Sequence, residues 1–146
     1  MPDVISNTSC LIALSNINML DILRLRYGKI YITPEVDHEF NEPLPEWITV
    51  VPVCDTYRTI LINRYVDIGE ASTIALAGEM SAPLVILDDG KARRYAKSIG
   101  LRITGTLGVI IKAEDLGLIP DARKTVADLR AVNFRIPRKF EERYLN

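Results

Sequence analysis

The chain is poor in the residues that several enzyme classes need. It has one histidine, His38, and two cysteines, Cys10 and Cys54, neither of them in a C-x-x-C pair. A Cys/His zinc cluster is therefore excluded, and so is a ribonuclease mechanism that uses two histidines. No Gly-x-Gly-x-x-Gly motif follows a predicted strand and there is no P-loop, which disfavours enzymes with nucleotide cofactors.

The chain also lacks an excess of positive charge and a long apolar run. Eighteen basic and nineteen acidic side chains leave a formal net charge of −1, so there is no global signature of nucleic-acid binding. An acidic metal site and a basic rim would cancel in this sum, so RNA is not excluded. No run reaches the roughly 18 apolar residues of a transmembrane helix, and Asp3 directly after Met-Pro argues against a signal peptide. We expect a cytoplasmic protein with no membrane partner.

Short apolar runs alternate with helical patterns along the 146 residues, which suggest one domain over residues 1–146. Strands that are apolar on both faces and separated by helices predict a parallel sheet with helices on both sides. Such sheets bind ligands at the carboxyl ends of their strands. The predicted strands are residues 4–6, 29–33, 47–53, 84–87 and 101–104. The predicted helices are residues 7–15, 17–26, 34–40, 56–65, 69–79, 91–99, 107–116 and 121–132, followed by a basic tail from Arg135 to Arg143.

Acidic residues stand at strand ends and in helices, with one gap in the pattern. Asp88 and Asp89 close an apolar strand, Glu70 opens a predicted helix and Glu39 lies in another. Asn7 follows the first strand at the position where a further acid would complete the set. Carboxylates that converge in a fold can hold Mg²⁺ or Mn²⁺ for phosphodiester chemistry.

Each of these residues also has a purely structural explanation. Asn7 and Asp89 are suited to cap helices, and Glu70 completes an Asp67-x-x-Glu70 pattern that resembles a capping box. Asp88 differs, because an acid beside another acid at the end of an apolar strand is repulsive unless a cation lies nearby. The pattern therefore favours a functional role most strongly at Asp88.

The order and spacing of these motifs resemble the PIN-domain nucleases. Residues 5–14, Ile-Ser-Asn-Thr-Ser-Cys-Leu-Ile-Ala-Leu, look like the opening motif of that family, which usually has Asp where this chain has Asn7. The resemblance covers about the whole chain, and its last segments resemble a less characterised prokaryotic branch close to the VapC-type toxins. The further matching segments are residues 36–39, 69–77, 84–89, 105–111 and 117–120.

The resemblance implies a three-layer α/β/α sandwich with a central, mostly parallel five-stranded sheet. It implies an endoribonuclease that depends on Mg²⁺ or Mn²⁺ and is the toxin of a toxin–antitoxin pair, with RNA as substrate. A cognate antitoxin protein and a homodimer are implied as partners. Carried over by position, the resemblance assigns catalytic roles to Asn7, Glu39, Glu70 and Asp88, metal-ligand roles to Asn7, Glu70, Asp88 and Asp89, and rim hydroxyls to Thr8 or Ser9 and to Thr106.

Asn7 is the one departure from the family pattern. An amide oxygen can ligate a metal but carries no charge, so we expect weak activity or none from the chain as written. The difference is either natural or an engineered Asp→Asn change. Two functions stay open: an impaired PIN-type ribonuclease, and a degenerate PIN domain that binds RNA or a protein without cutting. A phospho-acceptor receiver domain is disfavoured, because its acidic pair would follow the first strand.

Overall fold

The computed structural model describes residues 2–145, and its strands form one all-parallel sheet. The strands are β1 (Val4–Ser6), β2 (Ile30–Ile32), β3 (Ile48–Val50), β4 (Leu84–Ile86) and β5 (Arg102–Thr104). Their order is β3-β2-β1-β4-β5, so the direction of winding reverses between β1 and β4. Such a reversal opens a crevice at the carboxyl ends of the two strands, where ligands of α/β sheets bind.

The described residues form nine helices, and α5 is the most buried of them. Its central residues 71–77 are all buried, since its Ala, Ser and Thr side chains allow close packing. None of the nine is long and apolar enough to cross a membrane. They are α1 (Thr8–Asn16), α2 (Asp21–Tyr27), α3 (Pro34–Phe40), α4 (Thr56–Ile62), α5 (Ile68–Glu79), α6 (Gly90–Ser98), α7 (Thr106–Asp115), α8 (Ala122–Ala131) and α9 (Arg138–Tyr144).

Two hydrophobic clusters lie on opposite faces of the sheet. Val4 and Ile86 belong to one cluster, together with buried residues of α1, α2, α7 and α8. Ile5 and Val85, the alternate residues of the same strands, belong to the other, together with buried residues of α4, α5 and α6. Successive strand residues point to opposite faces, so the sheet is the middle layer of an α/β/α sandwich. This confirms the predicted fold.

The basic tail contains a helix that the sequence did not predict. Residues Arg138–Tyr144 form α9. Phe140 and Tyr144, one helical turn apart, stack with ring centroids 6.4 Å apart and pack against the larger core cluster. The helix predicted over 56–65 is also shorter and ends at Ile62. Other boundaries agree to within about two residues, except that the helix predicted over 17–26 begins only at Asp21 and the strand predicted over 47–53 is shorter at its end.

Candidate active site

The carboxyl ends of the three strands on one side of the sheet meet at a single edge. The Asn7 amide donates to the Ile86 carbonyl at 3.1 Å, and the Leu87 amide donates to the Thr104 carbonyl at 2.9 Å. These bonds continue the strand pairing one residue past each strand. Residues that follow β1, β4 and β5 are therefore neighbours, and Asn7 and Asp88 lie at the same edge.

Asp88 is held by two hydrogen bonds from one residue. The Thr106 amide donates to Asp88 Oδ1 at 2.8 Å, and the Thr106 hydroxyl donates to Oδ2 at 2.6 Å. Thr106 is fully buried, while Asp88 is only partly buried. Hydrogen bonds to an ionised carboxylate are roughly twice as strong as neutral ones, so the orientation of Asp88 is fixed by the start of α7.

A cation also lies beside Asp88, on the first turn of α6. Arg93 Nη1 donates to the Leu87 carbonyl at 2.8 Å. A Cβ atom added to Gly105 would lie 2.9 Å from Arg93 Nη1 and 3.0 Å from Asp88 Oδ1. The guanidinium and the carboxylate thus approach the same glycine. Arg93 is thus the basic side chain that the structure places near Asp88, although the two form no ion pair.

Glu39 reaches the site from α3. The Thr8 hydroxyl at the start of α1 donates to Glu39 Oε1. A Cβ atom on Gly69 would overlap that same oxygen, so the Glu39 carboxylate lies against the first turn of α5. Only a glycine at position 69 admits this approach. Of the two hydroxyls predicted at this rim, Thr8 contacts an acid, whereas Ser9 is exposed.

Glu70 lies in the same turn of α5 and has three other acidic side chains near it. Burial raises the pKa of its carboxyl, and the charges of Asp67, Asp89 and Glu39 raise it further, against a lowering by its own backbone amide. Like charges this close oppose ionisation unless a cation joins them. Glu39 and Asp89, two other predicted site residues, therefore lie close enough to Glu70 to affect its ionisation.

A family comparison agrees with this geometry. The model of a PIN-domain family matches residues 3–146. The chain belongs to the PIN-domain family. PIN domains are generally nucleases and usually use divalent metals, so this chain has a nuclease-type fold. A comparison with curated proteins finds no match to the sequence.

In this PIN domain, Asn7 serves as a helix cap. Its side chain is 2% exposed, and Asn7 Oδ1 accepts a hydrogen bond from the Cys10 amide at 3.1 Å. The capping role suggested by the sequence is confirmed. Burial, and then the negative charge of Asp88, raise the pKa of the Cys10 thiol to about 12, which places Asp88 close to the start of α1.

Of the other two predicted helix caps, one is confirmed and one is wrong. Asp89 Oδ2 accepts from the Ala92 amide at 3.0 Å, so Asp89 caps α6 as expected. Asp67 precedes α5, but its side chain makes no capping hydrogen bond, so the capping box expected with Glu70 is wrong. Glu70 therefore loses its main structural explanation, and its half-buried carboxylate is left facing other acids.

The donor set of this PIN domain suits a hard divalent cation. The side chains at the edge offer oxygen atoms, which Mg²⁺ and Mn²⁺ prefer, and Mg²⁺ keeps several waters, so few protein ligands are needed. Within residues 2–145, no three acidic, histidine or cysteine side chains already form a group that could hold a metal. The oxygen donors fit a divalent cation, but side chains would have to move to bring three of them around one ion.

Proposed function

We propose that this PIN domain is a Mg²⁺- or Mn²⁺-dependent endoribonuclease, impaired by Asn7, and that it is the toxin of a toxin–antitoxin pair. The observation that carries the proposal is the convergence of Glu39, Asp89 and Asp67 on the half-buried Glu70. This group of acids has one half-buried member, Glu70, and three exposed members. It lies beside Asp88 at the strand-order reversal, where α/β folds bind ligands.

The proposed roles follow from the bonds each acid already makes. Glu70, Asp88 and Asp89 would hold the metal, with position 7 as the remaining ligand. The metal, when bound, supplies an activated water and neutralises charge on the phosphate. Thr106 orients Asp88 for this task. Glu39, held by Thr8, is the proposed acceptor of the water's proton.

Asn7 explains why the chain as written would be a weak enzyme. Its amide oxygen already accepts the Cys10 hydrogen bond, so its other branch is an NH₂ group, which donates and cannot ligate a cation. An aspartate could keep the cap with one oxygen and offer the second to a metal. Asn7→Asp therefore adds a ligand and a charge without removing the cap.

The test is cleavage of a labelled RNA pool by the chain and by Asn7→Asp, with Mg²⁺, with Mn²⁺ and with a chelator. We expect Asn7→Asp to cut in a metal-dependent way and the unmodified chain to cut little. Asp88→Asn added to Asn7→Asp should abolish cleavage. Asp115→Asn, an exposed acid at the far end of α7, is the matched control and should leave cleavage unchanged. An Asn7→Asp variant that never cuts would contradict the proposal.

The alternative is a PIN domain that binds RNA or a protein without cutting. It is favoured by the absence of an assembled metal group within residues 2–145 and by the capping role of Asn7. In that case Asn7→Asp would not cut under any metal condition. RNA binding would persist and would not change with Mn²⁺.

A homodimer, proposed from the resemblance, has a candidate surface on α4. Tyr57, Ile60 and Leu61 are 67%, 59% and 40% exposed. Helix α2, by contrast, buries Ile22 and Leu23 in the core. Light scattering should find a dimer that Ile60→Glu converts to a monomer; a monomeric unmodified chain would contradict it.

The cognate antitoxin, which would cover the acidic edge, and the cytoplasmic location stay predictions.

A further inference from the structure

Arg93 differs from the other basic residues of α6. Lys91, Arg94 and Lys97 are exposed, whereas Arg93 is half-buried and donates to the Leu87 carbonyl at 2.8 Å. Among the described residues of this helix, it is the one basic side chain with a hydrogen bond to the strand end that carries Asp88. Its guanidinium is therefore part of the acidic edge rather than of a solvated helix face.

Gly105 makes room for this side chain. A Cβ atom there would lie 2.9 Å from Arg93 Nη1, 3.0 Å from Asp88 Oδ1 and 3.5 Å from the Leu87 carbonyl oxygen. A contact this short is almost never seen for a real Cβ atom, so a larger residue would force the guanidinium to shift and would also crowd the Asp88 carboxylate. The end of the Arg93 side chain thus lies next to Gly105, directly after β5, and close to the Asp88 carboxylate.

Arg93 is not part of an ion pair within residues 2–145. The ion pairs within residues 2–145 join Arg24 to Asp21, Lys124 to Asp128 and Arg138 to Glu142. A guanidinium has five N–H donors in a fork that matches phosphate geometry. One of them contacts Leu87, so several remain for an anionic ligand.

We propose that Arg93 binds a backbone phosphate of the RNA substrate beside Asp88; this rests on the proposed function. A carboxylate edge repels a phosphodiester, and contacts between basic side chains and phosphates set the register of nucleic acids. A pre-positioned guanidinium loses little conformational entropy on binding. Arg93 meets both needs at the one place where the phosphate must approach the acids.

The test measures how salt weakens binding of the chain to a short, fluorescently labelled single-stranded RNA in chelator. Each lost phosphate contact on single strands lowers the slope of log K against log salt by about 0.7. We expect Arg93→Met to lower the slope by about that amount. Arg93→Lys should keep the slope but weaken binding several-fold, because it keeps the charge and loses the fork. A purely structural role would lower the unfolding temperature and leave the slope unchanged.

Two further variants keep the outcome clear. Arg94→Met, on the same helix and exposed, should not change the slope; an equal fall would point to a diffuse basic face and overturn the proposal. Gly105→Ala keeps the charge of Arg93 but moves its guanidinium, so, like Arg93→Lys, it should weaken binding several-fold with little change of slope, even if Arg93→Met folds poorly. If the unmodified chain binds RNA, an unchanged slope in Arg93→Met together with an unchanged affinity in Gly105→Ala overturns the Arg93 proposal alone. No RNA binding by the unmodified chain overturns the proposed function as well.

Discussion

The acidic edge has two sides that are built differently. On the Asp88 side, both oxygens of the Asp88 carboxylate accept hydrogen bonds from Thr106. The Arg93 guanidinium lies beside the same residue, Gly105, as the Asp88 carboxylate. On the Glu70 side, burial and neighbouring acids raise the pKa of Glu70. The first side is organised by donors of the chain itself. On the second side each of Glu39 and Asp89 accepts one hydrogen bond, but no basic side chain is among the groups that shift the pKa of Glu70.

The largest expected effect is on the Asp88 side. Thr106→Val keeps the shape of a fully buried residue but removes the hydroxyl that donates to Asp88 at 2.6 Å. Hydrogen bonds to charged groups contribute about 1.5–3 kcal/mol. We expect the free energy of unfolding in urea to fall by about that amount.

Thr125→Val is the matched control, because the Thr125 hydroxyl donates to the Asp121 carbonyl at 3.2 Å, a neutral partner. It should cost about 0.5–1.5 kcal/mol. Equal losses in the two variants would mean that Asp88 is not held more firmly than an ordinary acceptor, and the contrast between the two sides would disappear.

A smaller effect is expected where Glu39 meets α5. Gly78→Ala should stabilise the protein by up to about 1 kcal/mol, since alanine is the better helix former. Its Cβ would lie 2.7 Å from Arg58 Nη1, the mobile end of an exposed side chain. Gly69→Ala should lack this gain, because its Cβ displaces a Glu39 carboxylate that Thr8 holds.

Urea unfolding compares the two alanine variants directly, and cleavage by Asn7→Asp carrying each of them gives a second readout. Only Gly69→Ala should lower cleavage. If the two variants gain equal stability and cut equally well, Glu39 is not fixed against α5 and its proposed role is lost.

The smallest effect is a dependence of stability on pH at Glu70. Its folded pKa is raised above the ordinary value of 4.5, so its contribution to stability is present below that value and is lost as pH rises through the folded pKa. Glu70→Gln should therefore unfold at a higher temperature than the unmodified chain at neutral pH, and the difference should vanish in acid.

Glu79 on the same helix gives the opposite sign. The backbone amides of Asp55 and Cys54 lower its pKa, so its charge stabilises the fold above the ordinary value. Glu79→Gln should lower the unfolding temperature at neutral pH. If Glu70→Gln behaves like Glu79→Gln, the acids around Glu70 are not in conflict and the Glu70 side needs no cation.

The sequence carries the parts of this site but not their pairing. Apolar runs predict the strands, and the positions of Asn7 and Asp89 at helix starts predict their caps. The contacts that decide the chemistry join residues far apart in the chain, such as Thr106 with Asp88 and Thr8 with Glu39. They depend on strand order and helix crossing, which residue types alone do not encode.

Two omissions have specific causes. Two adjacent acids called for a cation, but α6 offers four basic residues, and only the space above Gly105 singles out Arg93. The charged composition of residues 135–143 masked α9, whose aromatic pair becomes visible as a packing signal only when the core it covers is known.

The most direct test of the central claim, that this edge is a metal site lacking one ligand at position 7, is calorimetric titration of Mn²⁺ into the unmodified chain and into Asn7→Asp. Affinity of oxygen-ligand sites depends strongly on how many charged ligands they have. We expect Asn7→Asp to bind Mn²⁺ about tenfold or more tightly, and Asp88→Asn to remove that gain. Equal affinities in the unmodified chain and Asn7→Asp would contradict the claim and leave position 7 as a helix cap only.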